Sequence, residues 1–338
     1  MIRAAILGCA GEGLSRDERA FFSAAQPLGF ILFARNCQDP AQVSALVAEC
    51  RDSVGRSDAP VLIDQEGGRV ARLKPPYWRE APAPAVFGRL ARTDIEQAEE
   101  AARLNARLLA EDLRLLGITV DCTPLLDLLM PGAHSVIGDR AFGKDVGTVA
   151  RLGRAVVEGL LAGGVIPVVK HLPGHGRAGA DSHLSLPVVD APAAILTETD
   201  FVPFAALADA PWGMTAHIVY SALDGERPAT ASPRIIKDTI RGQIGFDGVL
   251  VSDDLSMKAL AGDFTERADS ALAAGCDLVL HCNGDLVEMR SVMEGTAELT
   301  PAAAARVERA EALRLASYES DFDAAAARHR LDALLSAV

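Results

Sequence analysis

Four stretches of this sequence gather side chains that hold charge or move protons. Lys170-His171-Leu172-Pro173-Gly174-His175-Gly176 places two cations or hydrogen-bond donors ahead of a glycine-rich turn, and Asp181-Ser182-His183 follows. A carboxylate beside a histidine fixes the imidazole tautomer and raises its pKa, as the orienting group of a hydrolase triad does. Glycines around such a pair let a loop close over a ligand and open again. Ser252-Asp253-Asp254 supplies further acids, and Asp64-Gln65-Glu66-Gly67-Gly68-Arg69-Val70-Ala71-Arg72 mixes both signs of charge. Asp121, Asp127 and Asp139-Arg140 complete the set. This is the chemistry of a mobile general acid/base, Asp181 with His183, and a fixed nucleophile, Asp253.

These groups share a position relative to the elements that must carry them. Eight short apolar runs recur: Ala4–Leu7, Gly29–Ala34, Pro60–Ile63, Ile118–Asp121, Val165–Val169, Gly213–Ile218, Gly248–Val251 and Asp277–His281. None alternates polar with apolar, as expected of strands buried on both faces of a parallel sheet. Helical segments lie between them. Ser15-Arg16-Asp17-Glu18 and Thr93-Asp94-Ile95-Glu96 have capping-box spacing, and the second helix runs through Leu104, Leu108 and Leu109 to Leu116 before Gly117. Alternation over some 300 residues predicts a single (β/α)8 barrel spanning 1–338, its closing helices starting near Pro301. A doubly wound open sheet is the lesser alternative, since no Gly-x-Gly-x-x-Gly follows an early strand.

On this frame the polar groups follow strand ends, the face where barrel enzymes build their sites. Six of the seven histidines do so, counting His134; His329 alone sits in the tail. Duller readings stay open for several. Asp254 fits the cap of a following helix, Lys170 a rim ion pair, His217 and His281 satisfied rim histidines, and Asp121 and Asp127 loop supports. Asp253 is different, because a carboxylate pointing into the mouth beside Lys170 and His171 is costly unless paired or used. Two connections, Lys74–Leu90 and His171–Pro187, are too long to be ordinary turns. The second is expected to be mobile.

Composition excludes several classes. The 338 residues are 49% hydrophobic with a net charge of −13, which disfavours nucleic acid and anionic lipid surfaces. The six cysteines form no Cys-x-x-Cys pair, so neither a zinc knuckle nor a disulfide framework is expected. Leu7-Gly8-Cys9-Ala10 faintly resembles a lipoprotein cleavage site, but Ala4–Leu7 is too short for a signal segment. Ala155–Val169 contains Glu158 and falls short of a membrane span. A cytoplasmic monomer acting on a small molecule is the expectation.

The sequence resembles glycoside hydrolase family 3, and within it the NagZ-type β-N-acetylglucosaminidases. The resemblance rests on Ile63-Asp64-Gln65-Glu66-Gly67-Gly68-Arg69-Val70, Lys170–Gly176, Asp181-Ser182-His183 and Ser252-Asp253-Asp254-Leu255-Ser256-Met257, and spans about Leu7 to Asn283. Leu172 stands where phenylalanine is usual, and Ala141 where serine is common. The resemblance implies that Asp253 is the nucleophile of a covalent glycosyl-enzyme, and His183 the acid/base partnered by Asp181. It implies that Asp64, Arg72, Arg140, Lys170 and His171 bind the hydroxyls of a terminal GlcNAc ring, with His175 in the loop. Larger members take a glutamate acid from a second domain; this chain is expected to lack one, leaving Asp181–His183 on the barrel. An imidazole with a reference pKa of about 6.5 suits proton exchange near neutral pH. The implied substrate is GlcNAc-1,6-anhydro-MurNAc, with or without peptide, from cell-wall recycling, and no metal or organic cofactor is required.

Three rivals have different signatures. A metal-dependent barrel hydrolase would use His171, His175, Asp181, His183 and Asp253, but no His-x-His closes an early strand and Lys170 would oppose a cation. A β-N-acetylglucosaminide phosphorylase on the same scaffold is physically open, because a histidine acid/base lacks a carboxylate's repulsion of phosphate. A sugar-binding protein without turnover would have little use for a complete nucleophile and dyad.

Overall fold

In a computed structural model, residues 1–131, 135–179, 182 and 185–336 are described. Eight parallel strands close a barrel in chain order: β1 (Arg3–Gly8), β2 (Pro27–Leu32), β3 (Val61–Ile63), β4 (Val120–Asp121), β5 (Ile166–Leu172), β6 (Trp212–Thr215), β7 (Val249–Asp254) and β8 (Leu278–His281). β8 returns to β1 through Leu7 opposite His281, so no edge strand is left open. All eight expected runs are strands, and one barrel accounts for the chain.

Alternation within each strand sorts two cores. Ala4, Ile6, Leu62, Ile166, Val168, Val249, Val251, Leu278 and Leu280 fill the barrel interior. Their neighbours Ala5, Leu7, Ile63, Val169, Leu250 and Val279 pack outward against the helices. The same period of two sets the mouth. Asp64 continues the inward phase of Leu62, Lys170 that of Ile166 and Val168, and Asp253 that of Val249 and Val251.

Helix starts follow their caps with one correction. Ser15 caps Arg16–Ala25 with a full capping box, Glu18 reaching back to the Ser15 N–H. The helix Ile95–Leu115 is capped by Asp94 rather than Thr93, because the Asp94 carboxylate accepts the Gln97 N–H while the Thr93 hydroxyl turns back to the Leu90 carbonyl. Gly117 follows with a left-handed φ of 81°. The tail forms Pro301–Ser317 and Ala324–Leu335. A small sheet, Val188–Val189 and Asp224–Pro228 flanking Val219–Tyr220, lies outside the expected runs, since two of its strands have only two residues and Asp224-Gly225-Glu226-Arg227-Pro228 carries no apolar pattern. The expectation of a mobile 171–187 loop bears on residues that include 180, 181, 183 and 184, outside those described. All six cysteines are free thiols. Among the described residues no helix is long and apolar enough to cross a membrane.

After β3 the chain must reverse to bring Arg72 back over Asp64. Gly67 and Gly68 make that turn at φ of 100° and 58°, and a Cβ on Gly67 would stand 2.3 Å from the Pro82 carbonyl oxygen. Both the dihedral and the contact exclude a side chain. Gly67→Ala is expected to lower stability by about 1–3 kcal/mol and to displace Asp64 and Glu66, which flank the turn. Denaturant titration checks this; an unchanged midpoint would show that the turn accommodates the methyl group.

Candidate active site

The mouth of the barrel is organised by a ladder of alternating charge. Lys170 Nζ lies 2.8 Å from Asp64 Oδ1 and 2.6 Å from Glu66 Oε1. Arg72 holds the other Asp64 oxygen at 3.0 Å. Arg140 grips Glu66 with two bonds, at 2.7 and 2.9 Å. The ladder therefore runs Arg72–Asp64–Lys170–Glu66–Arg140. Burial works against both carboxylates, but Lys170 with Arg72 holds Asp64 well below the usual range, and Lys170 with Arg140 lowers Glu66. The same attraction outweighs burial at Lys170 and raises its pKa. Gln65 between the acids folds the loop: its side chain accepts the Arg72 and Leu73 N–H groups and donates to the Leu73 carbonyl.

A second carboxylate organises the chain leaving β5. Asp127 Oδ2 lies 2.7 Å from His171 Nδ1, and Oδ1 accepts the His171 and His175 N–H groups at 3.2 and 2.6 Å. An acceptor on Nδ1 leaves Nε2 of His171 as the atom that faces a ligand. His175 is 3% exposed, and its Nε2 lies 3.2 Å from the Ser182 hydroxyl. Burial, then the neighbouring His171, pushes its pKa down to about 4, so it is neutral at working pH. Asp181 and His183, the candidate acid/base pair on either side of Ser182, lie outside the described residues.

Asp64, Arg72, Arg140, Lys170, His171 and Asp253 line one cavity of about 240 Å³, with Phe33, Met214, Met257 and Leu280 as its apolar wall. It is smaller than the about 300–1,000 Å³ of pockets for drug-sized ligands and suits one small ring. A larger cavity of about 770 Å³ lies at the opposite end, between Trp212, Ile166 and the helix Pro301–Ser317. Arg51, Arg56, Asp58, Arg114, Glu308, Glu311 and Arg314 line it, but that end of a barrel carries stability rather than chemistry.

The remaining candidates separate into supports. Asp121 accepts the Gln65 N–H at 2.9 Å. His281 faces Glu288 at 3.1 Å. Asp254 caps no helix, since Asp263 caps Phe264–Ala274; its carboxylate accepts the Ser256 and Cys282 N–H groups. Asp253 Oδ1 accepts the Asp254 N–H at 2.8 Å.

The family described as Glycosyl hydrolase family 3 N terminal domain matches residues 9–314. The chain belongs to glycosyl hydrolase family 3. A Beta-hexosaminidase of Chromobacterium violaceum is 43% identical over 278 residues, covering 81% of this chain and 77% of the relative. The crystal structure of NagZ from Neisseria gonorrhoeae superposes with a TM-score of 0.86 at 33% identity, covering 99% and 98% of the two chains. A glycoside hydrolase family 3 beta-N-acetylglucosaminidase from a Paenibacillus species gives a TM-score of 0.80 at 32% identity; this chain spans 61% of that longer one. The protein is thus a glycoside hydrolase of the β-hexosaminidase kind.

In this family 3 hydrolase the sequence reading left out Glu66 as a site residue, although it lies within a motif already singled out. Its pairing with both Lys170 and Arg140 becomes visible only when β3, β5 and the 138–140 turn meet. Glu66→Ala is expected to cost about 3–5 kcal/mol, the usual penalty for removing one partner of a buried pair. It should raise KM more than it lowers kcat, as chemical denaturation and steady-state kinetics would show.

Asp121 adds a pH dependence to the hydrolase. Burial raises its carboxyl from 3.8 to about 8. The folded state then binds a proton that the unfolded state releases, so this stabilisation is complete below about pH 4 and is lost as pH rises towards about 8. Asp121→Asn should therefore gain stability relative to wild type as the pH goes from about 5 to about 9. Parallel unfolding midpoints across that range would show that Asp121 does not titrate there.

Proposed function

We propose that the protein is a retaining exo-β-N-acetylglucosaminidase that removes non-reducing terminal β-GlcNAc, with GlcNAc-1,6-anhydro-MurNAc, bare or carrying peptide, as its recycling substrate. The observation that carries this reading is the one-ring cavity in which Asp253 stands among Asp64, Arg72, Arg140, Lys170 and His171. Guanidinium, ammonium and imidazole N–H groups donate to sugar hydroxyls, while Asp64 accepts from them. The apolar wall of Phe33, Met214 and Leu280 suits the ring face and a methyl group. A cavity of this size favours cleavage at a chain end.

Asp253 attacks the anomeric carbon as His183 protonates the departing oxygen, breaking the glycosidic bond and leaving a glycosyl ester. His183 then takes a proton from water, whose oxygen displaces the carboxylate, so two inversions give net retention. The usual acid of such a pair is a carboxyl group; an imidazole oriented by Asp181 performs the same exchange near neutral pH. The similarity to NagZ supports the recycling substrate, and the acidic surface keeps the enzyme off anionic polymers.

The test is aryl release from an aryl β-N-acetylglucosaminide in phosphate-free buffer. Wild type turns over, and Asp253→Ala loses more than the about 10² to 10⁴ typical of a proton-transfer group. Equal rates in both would remove Asp253 as nucleophile. Turnover that appears only on adding phosphate, with GlcNAc-1-phosphate as product, would make the enzyme a phosphorylase. Faster cleavage of GlcNAc-1,6-anhydro-MurNAc than of the GlcNAc disaccharide is expected, and the reverse order would replace the recycling substrate.

A further inference from the structure

Asp253 sits where the sheet ladder is interrupted. The pairing of β7 with β6 extends no further than Val251 opposite Met214, and the pairing with β8 shifts register between Val251 and Asp254. Strand ladders normally fix the backbone of a residue in this position. Here the ladder with β8 resumes only at Asp254 opposite Leu280, where the Leu255 N–H reaches the Leu280 carbonyl at 2.8 Å, and side-chain bonds share the task on the β6 side.

His217, just beyond β6, is fully buried and spans the gap. Its Nε2 lies 3.1 Å from the Asp254 carbonyl oxygen and its Nδ1 2.7 Å from the Thr230 hydroxyl. A carbonyl only accepts, so Nε2 carries the proton and Nδ1 is the acceptor; the Thr230 hydroxyl, which also reaches the Ala216 carbonyl at 3.1 Å, donates to it over the shorter 2.7 Å contact. The Thr215 hydroxyl, 2.7 Å from that of Thr230, then donates to it. The chain has one direction, from Thr215 through Thr230 and His217 to the Asp254 carbonyl. All three side chains are 0% exposed, and burial keeps His217 neutral by lowering its pKa. Asp254 is thereby held from three sides: His217 on its carbonyl, Cys282 on its carboxylate, and its own N–H on Asp253 Oδ1.

We propose that His217 is a positioning residue for the nucleophile, fixing the Asp253 carboxylate through the main-chain carbonyl of Asp254, with Thr230 selecting the tautomer that does so. The proposal rests on Asp253 being the nucleophile. Nothing in it requires His217 to touch substrate. Its effect belongs to the chemical step, because the ring is held by the charge ladder and His171, on other strands.

The experiment compares His217→Ala, His217→Gln and Thr230→Val with wild type, reading kcat and KM on the aryl substrate, affinity for free GlcNAc by calorimetry, and urea midpoints. Misplacing a reacting group by about 1 Å costs on the order of 10²-fold. His217→Ala should lower kcat by about 10- to 100-fold while KM and GlcNAc affinity stay near wild type. Glutamine carries an N–H close to the position of the imidazole Nε2–H, so His217→Gln should recover much of that loss. Thr230→Val keeps the packing but frees the tautomer, and should fall between wild type and His217→Ala. Three outcomes would overturn the proposal: wild-type kcat in His217→Ala, loss of GlcNAc affinity in step with kcat, or glutamine no better than alanine. If His217→Ala does not fold, wild-type kcat in Thr230→Val overturns it. The two readings fail separately. An active Asp253→Ala removes the nucleophile itself, whereas an inactive Asp253→Ala beside a fully active His217→Ala removes only the positioning role.

Discussion

Burying Lys170 is the constraint on which the mouth of this barrel depends. An ammonium at 2% exposure is tolerable only with close counter-charges, and Asp64 and Glu66 supply them from a single turn after β3. Those carboxylates in turn need Arg72 and Arg140, since two acids around one cation would repel each other. The ladder counts three cations against two carboxylates, so it presents an excess of donors to whatever enters. Neutral polyols with many hydroxyl oxygens match that surface. Each charged group is aimed by a charged neighbour, which lets long flexible side chains act as fixed donors.

Glycines and a buried amide make the ladder geometrically possible. Asp64 and Arg72 are eight residues apart in sequence yet share a bond, because Gly67 and Gly68 reverse the chain and Gln65 stitches its two limbs together. Asp121 anchors the start of that turn by accepting the Gln65 N–H. Its burial has an electrostatic logic: a third ionised carboxylate beneath Asp64 and Glu66 would oppose both, and its raised pKa keeps it protonated near neutrality. The support is a neutral one under a charged layer.

Much of this was legible in the sequence, and what was not has a physical reason. The eight apolar runs mark the strands because a parallel sheet is buried on both faces, whereas the inward phase of Asp64 and Lys170 emerges only once the folded barrel sorts Leu62, Ile166 and Val168 to its interior. Partnerships across strands are a different matter. Glu66 meets Arg140, Asp127 meets His171, and His217 meets the Asp254 carbonyl at sequence separations of 74, 44 and 37. No local pattern encodes such distances; barrel closure does. Thr230 is the extreme case, an unremarked residue on a short turn that the small sheet of Val219–Tyr220 and Asp224–Pro228 delivers beneath the mouth.

Three modes of support divide the site by what each group must do. The residues proposed to bind the ring are held by charge, which is strong at short range in a buried mouth and keeps donors aimed without contact from the ligand. The region of the proposed nucleophile is held by neutral bonds from His217 and the Thr215–Thr230 hydroxyls. A charged brace there would add a fixed field beside a carboxylate whose charge, on the proposed mechanism, disappears into an ester and returns each cycle. The chain after β5 is held at its base, where Asp127 takes the His171 and His175 N–H groups and the Tyr220 hydroxyl bonds the Gly174 carbonyl at 2.7 Å, and further on by the Arg177–Asp200 pair at 2.6 Å. Beyond that base lie glycines and the Asp181–His183 pair, whose proposed task changes between donating and accepting a proton. A firm base with a glycine-rich continuation fits a group that must serve two steps of one reaction.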